Sequence, residues 1–413
     1  MEKVDEQRIR LPHDVMIYIL KRLPGKSLVR FKCISKTWYD LIYTVDFNYI
    51  HYNHDCLSNQ FIIFKRYLRF DGNDRNSIYY NGKNMISFHS NDESFKSIAP
   101  NFEYNDNYIG VRIIGPCNGI ICISSYRSTV LYNPTLREVL ELPPSILPYR
   151  PELSHSVELN YCMIMTTGIG FDPSTDDYKV IRILSPREEY EWDDTDNLYK
   201  LVSKVEVYNL STNSWRKFED LQCLVDPRCC FNVLINGAFH WRGTTLSPIG
   251  DYWIVSFNFS CELFQNILFP NGLDIEQLKS LVVLKDSLAL ICYTEISSLQ
   301  DMVMDQPIDI WLMKKYSLRE SWIKEFTVGP MAIETPLAIW MNDAELMIES
   351  NNGKLASCNL LSGEIKELDL SGVPNTLEVV VCKESLISIK KERDKVVLRP
   401  LHTCIQVTKT ISF

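Results

Sequence analysis

Residues 131–140 read LYNPTLREVL: one strand ends in an aromatic residue and Asn, a turn contains Pro and Thr, and a second strand has alternating apolar positions. The pattern returns at residues 207–216 as VYNLSTNSWR, and weaker copies contain Asn258, Ser317 and Asn359. From Asn133 onward, the matching positions are 76, 49, 59 and 42 residues apart. Periods of roughly 40 to 50 residues with four short strands each are typical of propeller blades, and longer gaps indicate loop insertions.

A second recurring pattern is a hairpin of two apolar strands around a tight turn. It occurs at residues 231–241, 281–290 and 339–348. In the first copy the turn is Asn236-Gly237, a pair that favours two-residue hairpin loops. We expect these hairpins to supply the first two strands of a blade and the Tyr-Asn pattern the last two. Residues 60–370 then predict about six blades, with the tail after Leu377 closing the ring against the first.

The N-terminal residues 11–43 have helical periodicity instead. Apolar side chains recur every four residues, at Val15, Ile19 and Leu23. Pro24 ends this first helix, and Ser27 and Ser35 can cap two further short helices. Three short helices in about 32 residues hold too little core to be stable alone. We therefore expect the rest of the chain, or a partner, to cover part of their apolar surface.

Composition excludes several classes of protein. The 413 residues contain 43 Lys and Arg against 52 Asp and Glu, a net charge of −9, which argues against a nucleic-acid partner. No apolar run reaches the length of a membrane span, and the mixed charges of the first residues do not fit a secretory signal. We expect a soluble cytoplasmic protein with no membrane partner. The 13 cysteines then act as small buried apolar side chains in a reducing compartment.

Catalytic and metal-binding motifs are missing from the sequence. His51 and His54 have Asp55 and Cys56 nearby and could ligate zinc, but a polar connector is the preferred interpretation. Cys229-Cys230 would point to opposite faces of a strand. For His240 we expect a hydrogen-bonded structural imidazole. The sequence therefore predicts no catalytic residue, no metal site, no cofactor and no enzyme activity.

Residues 187–196, REEYEWDDTD, form an acidic insertion between two strands of one blade. One interpretation is a solvated loop that only aids solubility. The other is a binding site for a basic protein, with the aromatic residues as anchors. The candidate target-binding residues are Glu188, Glu189, Tyr190, Glu191, Trp192, Asp193, Asp194 and Asp196. A second polar stretch, residues 101–108, reads as a plain loop.

Residues 11–38 resemble an F-box, because most consensus positions are filled in register from Leu11-Pro12 to Trp38. The resemblance implies a three-helix module that binds a Skp-type adaptor and, through it, the cullin and RING protein of an SCF ubiquitin ligase. The adaptor-binding residues expected on this basis are Leu11, Pro12, Val15, Ile19, Leu20, Leu23, Pro24, Leu28, Val29 and Cys33.

The remaining strands resemble the plant F-box-associated domain. Its pattern is followed in order by residues 113–122, 132–135, 168–172, 178–180, 207–210, 214–216 and 236–241. This implies an F-box at residues 8–50, a connector at 51–60 and a β-propeller at 61–413. The chain is mainly β with a small α module, and kelch-type Gly-Gly doublets are absent.

Within that family the sequence looks most like S-locus F-box proteins, which act in pollen self-incompatibility and direct non-self S-ribonucleases to ubiquitination. Two alternatives stay open. One is an F-box receptor for a different target, such as an immune, hormone or developmental regulator. The other is a sugar-binding or hydrolytic propeller in which the helices are only a cap.

Overall fold

The structure is a computed structural model that describes most of the chain. The described residues are 11–54, 59–70, 82–104, 106, 110–125, 127–147, 163–186, 191–193, 198–200, 203–226, 233–244, 252–273, 278–293, 306–331, 335–341, 343–350, 352–390 and 405–407.

Four short helices open the chain: α1 (His13–Leu20), α2 (Gly25–Phe31), α3 (Lys36–Ile42) and α4 (Val45–Asn53). Pro12 and Pro24 precede α1 and α2, as a residue with a fixed φ and no N–H readily does at a helix start. Ser27 therefore lies inside α2 and is not its cap, contrary to expectation. Ser35 caps α3 as expected, its Oγ accepting a hydrogen bond from Trp38 N at 3.2 Å. The helix α4 was not predicted and extends into the expected connector. Where the structure describes the chain, no helix is long and apolar enough to cross a membrane.

Six antiparallel sheets follow, and they form a six-bladed β-propeller. Blade 1 contains β1 (Gln60–Arg69), β2 (Gly82–Ser90) and β3 (Ser97–Tyr104), and blade 2 contains β4 (Arg112–Cys117), β5 (Ile120–Ser124), β6 (Thr129–Asn133) and β7 (Glu138–Glu141). Blade 3 contains β8 (Met163–Asp172), β9 (Asp177–Pro186), β12 (Lys204–Asn209) and β13 (Ser214–Lys217), with the hairpin β10 (Glu191–Asp193) and β11 (Leu198–Lys200) inserted between β9 and β12.

The last three blades repeat this plan. Blade 4 contains β14 (Leu224–Asp226), β15 (Val233–Ile235), β16 (Ala238–Thr244), β17 (Tyr252–Asn258) and β18 (Leu263–Ile267), with β14 and β15 both paired to β16. Blade 5 contains β19 (Leu278–Leu284), β20 (Ser287–Tyr293), β21 (Gln306–Met313) and β22 (Trp322–Met331). Blade 6 contains β23 (Thr335–Trp340), β24 (Glu345–Glu349), β25 (Lys354–Asn359) and β26 (Ile365–Ser371). The expected order is confirmed: hairpins supply the first two strands of blades 4 to 6, and the Tyr-Asn pattern supplies the last two.

The ring is closed by β27 (Glu378–Lys383), which pairs with β1 as the innermost strand of blade 1. This confirms the closure predicted for the tail after Leu377. At the start of the strand, the Glu378 carboxylate accepts a hydrogen bond from Ile113 N of blade 2 at 2.7 Å and lies 3.2 Å from the Arg112 guanidinium. A further strand, β28 (Ile405–Val407), pairs with the outer edge of β3.

The recurring Asn of the sequence pattern has a structural cause. The Asn133 side-chain oxygen accepts hydrogen bonds from the N–H groups of Thr135 and Leu136, at 2.9 and 3.1 Å. Asn258 and Asn359 make the same pair of bonds in their own turns. An Asn at this position satisfies the turn backbone between the last two strands of blades 2, 4 and 6. In blade 3 the Asp177 carboxylate accepts the bond from the turn, from Ser211 N at 2.8 Å, and Asn209 donates to that carboxylate.

Strand direction divides the connections between two faces of the propeller. The helices contact the turn between β6 and β7 and the end of β27, so the connections β4–β5, β8–β9 and their equivalents lie on the helix side. Antiparallel alternation places the other connections on the opposite side. On that side the chain leaves β7 and β9 and enters β8 and β12, so the connections β7–β8 and β9–β12 begin and end there. One expectation is wrong here, because residues 101–104 of the stretch interpreted as a loop belong to β3.

Candidate functional site

The first helix is apolar on two sides. Its inner side includes Leu20, which is buried, and Met16, which is half-buried. Its outer side carries Leu11, Val15 and Ile19, which remain 49%, 40% and 44% exposed. Leu11 lies just before the helix, and the other two follow at intervals of four residues, so the three fall in one row. A surface helix normally presents polar side chains outward, and an exposed apolar row therefore indicates a surface that a partner covers.

The structure separates the ten expected adaptor-binding residues into three groups. Six are exposed around the helices: Leu11, Pro12, Val15, Ile19, Pro24 and Cys33. Leu23 and Val29 are half-buried. Leu20 and Leu28 are almost completely inaccessible and pack inside the helical core. They support the exposed row from below and are not themselves available to a partner in this conformation.

Other exposed side chains extend this surface and were not singled out from the sequence. Tyr18 lies next to Ile19 on α1 and is 57% exposed, with the Arg22 guanidinium 3.5 Å from its ring centre. Ile34, in the turn before α3, is 62% exposed, and Tyr39 of α3 is also exposed. Ile34 and Trp38 are four residues apart, but this spacing did not indicate that Ile34 is exposed. Trp38 turns inward and packs on Phe31, whereas Ile34 faces solvent. Only the packing of the helices shows which side of α3 faces out.

The helices also differ from the rest of the chain in charge. Residues 11–54 contain six basic side chains, Lys21, Arg22, Lys26, Arg30, Lys32 and Lys36. They contain only three acidic side chains, Asp14, Asp40 and Asp46. The helical module is therefore net positive although the whole chain carries −9. A net positive module that carries an exposed apolar row suits an acidic partner surface.

The predicted target-binding residues lie largely outside the described part of the chain. Glu188, Glu189, Tyr190, Asp194 and Asp196 are not described. Glu191, Trp192 and Asp193 form β10, which pairs with β11 in a hairpin inserted between β9 and β12. The end of β9 at Pro186 and the start of β12 at Lys204, between which the hairpin is inserted, lie on the propeller face opposite the helices.

Two buried histidines, His240 and His51, have structural hydrogen-bond partners. His240 Nδ1 lies 3.3 Å from the Val233 carbonyl and Nε2 lies 2.7 Å from the Tyr316 hydroxyl, as expected for a structural imidazole. Burial lowers the His240 pKa to about 4. His51 Nε2 lies 3.0 Å from the Leu23 carbonyl, and burial lowers the pKa of this imidazole too. Among the described residues, no group of three or more His, Cys, Asp or Glu side chains is placed to hold a metal ion. Asp55, Cys56 and Cys229-Cys230 lie outside those residues.

A helical module with an exposed apolar row, joined to a closed six-bladed propeller, defines the class of F-box substrate receptors, which bind a Skp-type adaptor and enter SCF ubiquitin ligases. Comparison with protein families gives the same answer. The F-box domain matches residues 9–49, and the F-box associated beta propeller domain matches residues 46–404. The chain belongs to the family of F-box proteins that carry this associated propeller.

Several relatives from Arabidopsis thaliana match over most of the chain. The F-box protein CPR1 is 27% identical, over 93% of this chain and 92% of its own length. The F-box protein At3g07870 is 25% identical, over 90% of each chain. Among solved structures, an oligogalacturonate lyase in complex with manganese matches 74% of this chain and 77% of its own, with 9% identity and a TM-score of 0.38. A likeness that weak supports no statement about activity.

Proposed function

We propose that the chain binds a Skp-type adaptor through the exposed row of α1 and a basic target protein through the opposite face of the propeller, and that it performs no catalysis itself. Ubiquitin transfer then takes place elsewhere in the assembled ligase. Adaptor binding is proposed from the row of Leu11, Val15 and Ile19. These side chains are exposed to solvent, although the other side of the same helix is packed against the helical core.

The adaptor half is tested by changing Leu11→Ala and Pro12→Ala together and measuring capture by a recombinant plant Skp1-type adaptor. Both side chains are exposed, so the substitutions remove apolar contact area without emptying the core. We expect adaptor binding to fall at least about tenfold, since a buried Leu contributes about 1.5 to 3 kcal/mol. Leu361→Ala is the matched control, because Leu361 is 85% exposed in a propeller turn. Undiminished binding by the double variant would remove these two residues from the interface.

For the target, we propose a basic secreted ribonuclease of the kind that S-locus F-box proteins recognise. Two features support the proposal. The resemblance within the F-box-associated family is one. The other is the acidic insertion, which is the densest cluster of carboxylates in a chain of net charge −9 and is flanked by strand ends on the face away from the helices. On that face a bound target leaves the adaptor-binding row free.

Replacing Glu188, Glu189, Asp193 and Asp194 by Ser tests the target half. Binding of a basic pistil ribonuclease should weaken, and its dependence on salt concentration should flatten, because exposed charges act through screened electrostatic attraction. Replacing Glu364 and Glu367, two acidic residues on blade 6, by Ser is the control. Unchanged affinity at low salt would rule out the acidic insertion as the binding site. A wild-type protein that binds the adaptor and no ribonuclease would instead favour an F-box receptor for a different target.

A further inference from the structure

The chain continues past the closing strand in a short segment, residues 384–389, that lies between the helices and blades 2 and 3. We call it the 384–389 segment. Its first residue is anchored to the propeller, with Glu384 N donating to the Asn59 carbonyl at 2.8 Å. The segment contacts both modules at once, and its two sets of contacts differ in kind.

On the side that faces the helices, the segment contributes a side chain to the helical core. Leu386 is 3% exposed and packs in the helical core. The buried helical side chains of that core are Leu20, Leu28, Leu41, Ile42 and Phe47. Two residues earlier, the Glu384 carboxylate accepts a hydrogen bond from Gly25 N, the first residue of α2, at 2.5 Å. One side chain thus fills the interior of the helices and the other satisfies an N–H group at a helix start, where helices lack partners of their own.

Toward the propeller, the segment is held by hydrogen bonds and by two apolar side chains, Ile387 and Ile389. The Asn133 amide donates to the carbonyls of Ser385 and Ile387, at 3.1 and 2.7 Å. The Glu138 carboxylate accepts from Ile389 N at 2.9 Å. Ile389 itself is 2% exposed and packs with the apolar core of blades 2 and 3. Because so many bonds fix the segment to the propeller, it presents Leu386 and Glu384 to the helices in one position.

We infer that the helical module reaches its adaptor-binding conformation only with the 384–389 segment in place, and that Leu386 and Glu384 are positioning residues for adaptor binding. This rests on the proposed use of α1 as the adaptor-binding surface. Five buried helical side chains make a small core, and modules of this size depend on added contacts. Leu11, Val15 and Ile19 lie on α1, whose inner residue Leu20 packs in the same core as Leu386. Losing Leu386 therefore loosens the support of the row without touching the row itself.

Affinity should follow the fraction of molecules with ordered helices. If only a tenth of the molecules keep α1 in place, the apparent Kd rises about tenfold, since a ligand binds only the competent fraction. Deleting a buried Leu side chain and leaving a cavity is among the changes that shift such an equilibrium most. Adaptor binding should thus depend on Leu386, a residue that lies more than 330 positions beyond the F-box, which ends at residue 49.

The experiment compares full-length wild type with Leu386→Ala and with the matched control Leu361→Ala. Affinity for a recombinant plant Skp1-type adaptor is measured by calorimetry, and amide hydrogen exchange is measured across the chain. For Leu386→Ala we expect the Kd to rise at least about tenfold and protection to fall in α1 to α3, while β4 to β7 keep theirs. Leu361→Ala should match wild type. Glu384→Gln, which keeps the shape of the side chain and removes its charge, should give a smaller loss in the same direction.

Three results would overturn the inference. The first is a Kd for Leu386→Ala within twofold of wild type. The second is normal protection in α1 to α3 together with weakened binding, which would point to a direct adaptor contact. The third is loss of protection in β4 to β7 as well, which would show that the segment supports the whole propeller. Failure of wild type to bind the adaptor would refute the proposed function instead, and the exchange data would still decide whether Leu386 orders the helices.

Discussion

The helices and the propeller solve the same burial problem in opposite ways. In the propeller, every blade packs between two neighbours and the ring closes on itself, so β5 and β6 are buried along their whole length. The helices pack on one side only and leave Leu11, Val15 and Ile19 in solvent. They also borrow Leu386 from the propeller segment to complete their core.

The two modules therefore offer different kinds of surface to other molecules. In the closed ring the middle strands of each blade are paired on both sides, so contacts with other molecules come from the connections on the two faces and from the outermost strands. In the helical module the binding surface is the open side of the helices themselves. A partner that covers this side also stabilises the helices. The propeller can therefore vary its connections without loss of fold, whereas the exposed residues of the helices are tied to one type of partner.

The largest expected effect comes from breaking the closure of the ring. Val380 of β27 is 3% exposed and lies opposite Ile63 in the register with β1. Val380→Asp places an unpaired carboxylate between blades 1 and 2, and changes of this kind cost about 3 to 5 kcal/mol of unfolding free energy. We expect urea unfolding to shift by that amount and adaptor binding to fall as well, because the 384–389 segment follows β27 directly.

Ile365→Asp is the control for that experiment, since Ile365 lies on the outer strand β26 and is 48% exposed. It should change the unfolding free energy by less than about 0.5 kcal/mol. Equal destabilisation by the two variants would contradict the view that closure by β27, rather than the added charge, holds the ring together.

Much of this contrast could be predicted from the sequence, and the reason lies in local patterns. The turn chemistry of Asn133 and the hairpin at Asn236-Gly237 are set by neighbouring residues, so blade number and strand order follow from them. The support of the helices could not be predicted, because Leu386 joins the core that contains Leu20 although the two residues are far apart in the chain. For the same reason Leu20 and Ile19 could not be told apart in the expected adaptor surface. Both fit the apolar pattern, and only tertiary packing assigns one inward and the other outward.

A smaller effect concerns the pH dependence of propeller stability. Burial lowers the His240 pKa to about 4 from an ordinary value of 6.5, so below pH 6.5 the unfolded chain binds a proton that the folded chain does not. The contribution of the neutral His240 side chain to the unfolding free energy is fully present above pH 6.5, and it is lost as the pH falls toward 4. Between pH 7.5 and pH 5.0 we expect a loss of about 2 kcal/mol, measured by urea unfolding. In His240→Gln the unfolding free energy should fall by about 2 kcal/mol less over the same pH range. An identical fall in both proteins would contradict the assignment of this pH dependence to His240.

The smallest effect on stability, and the sharpest test of the contrast, compares two neighbours on α1. Ile19 is 44% exposed and Leu20 is 1% exposed. Ile19→Ser should alter the unfolding free energy of the free protein by less than about 0.5 kcal/mol, because the exposed side chain makes few packing contacts. Leu20→Ser should unfold the helices, because it leaves a cavity in their core. Both should weaken adaptor binding, so binding alone does not distinguish them. Hydrogen exchange in α1 to α3 does, since protection should persist in Ile19→Ser and disappear in Leu20→Ser. Loss of protection in Ile19→Ser would mean that the outer row also holds the helices together, and the open side of the module would then be part of its own core.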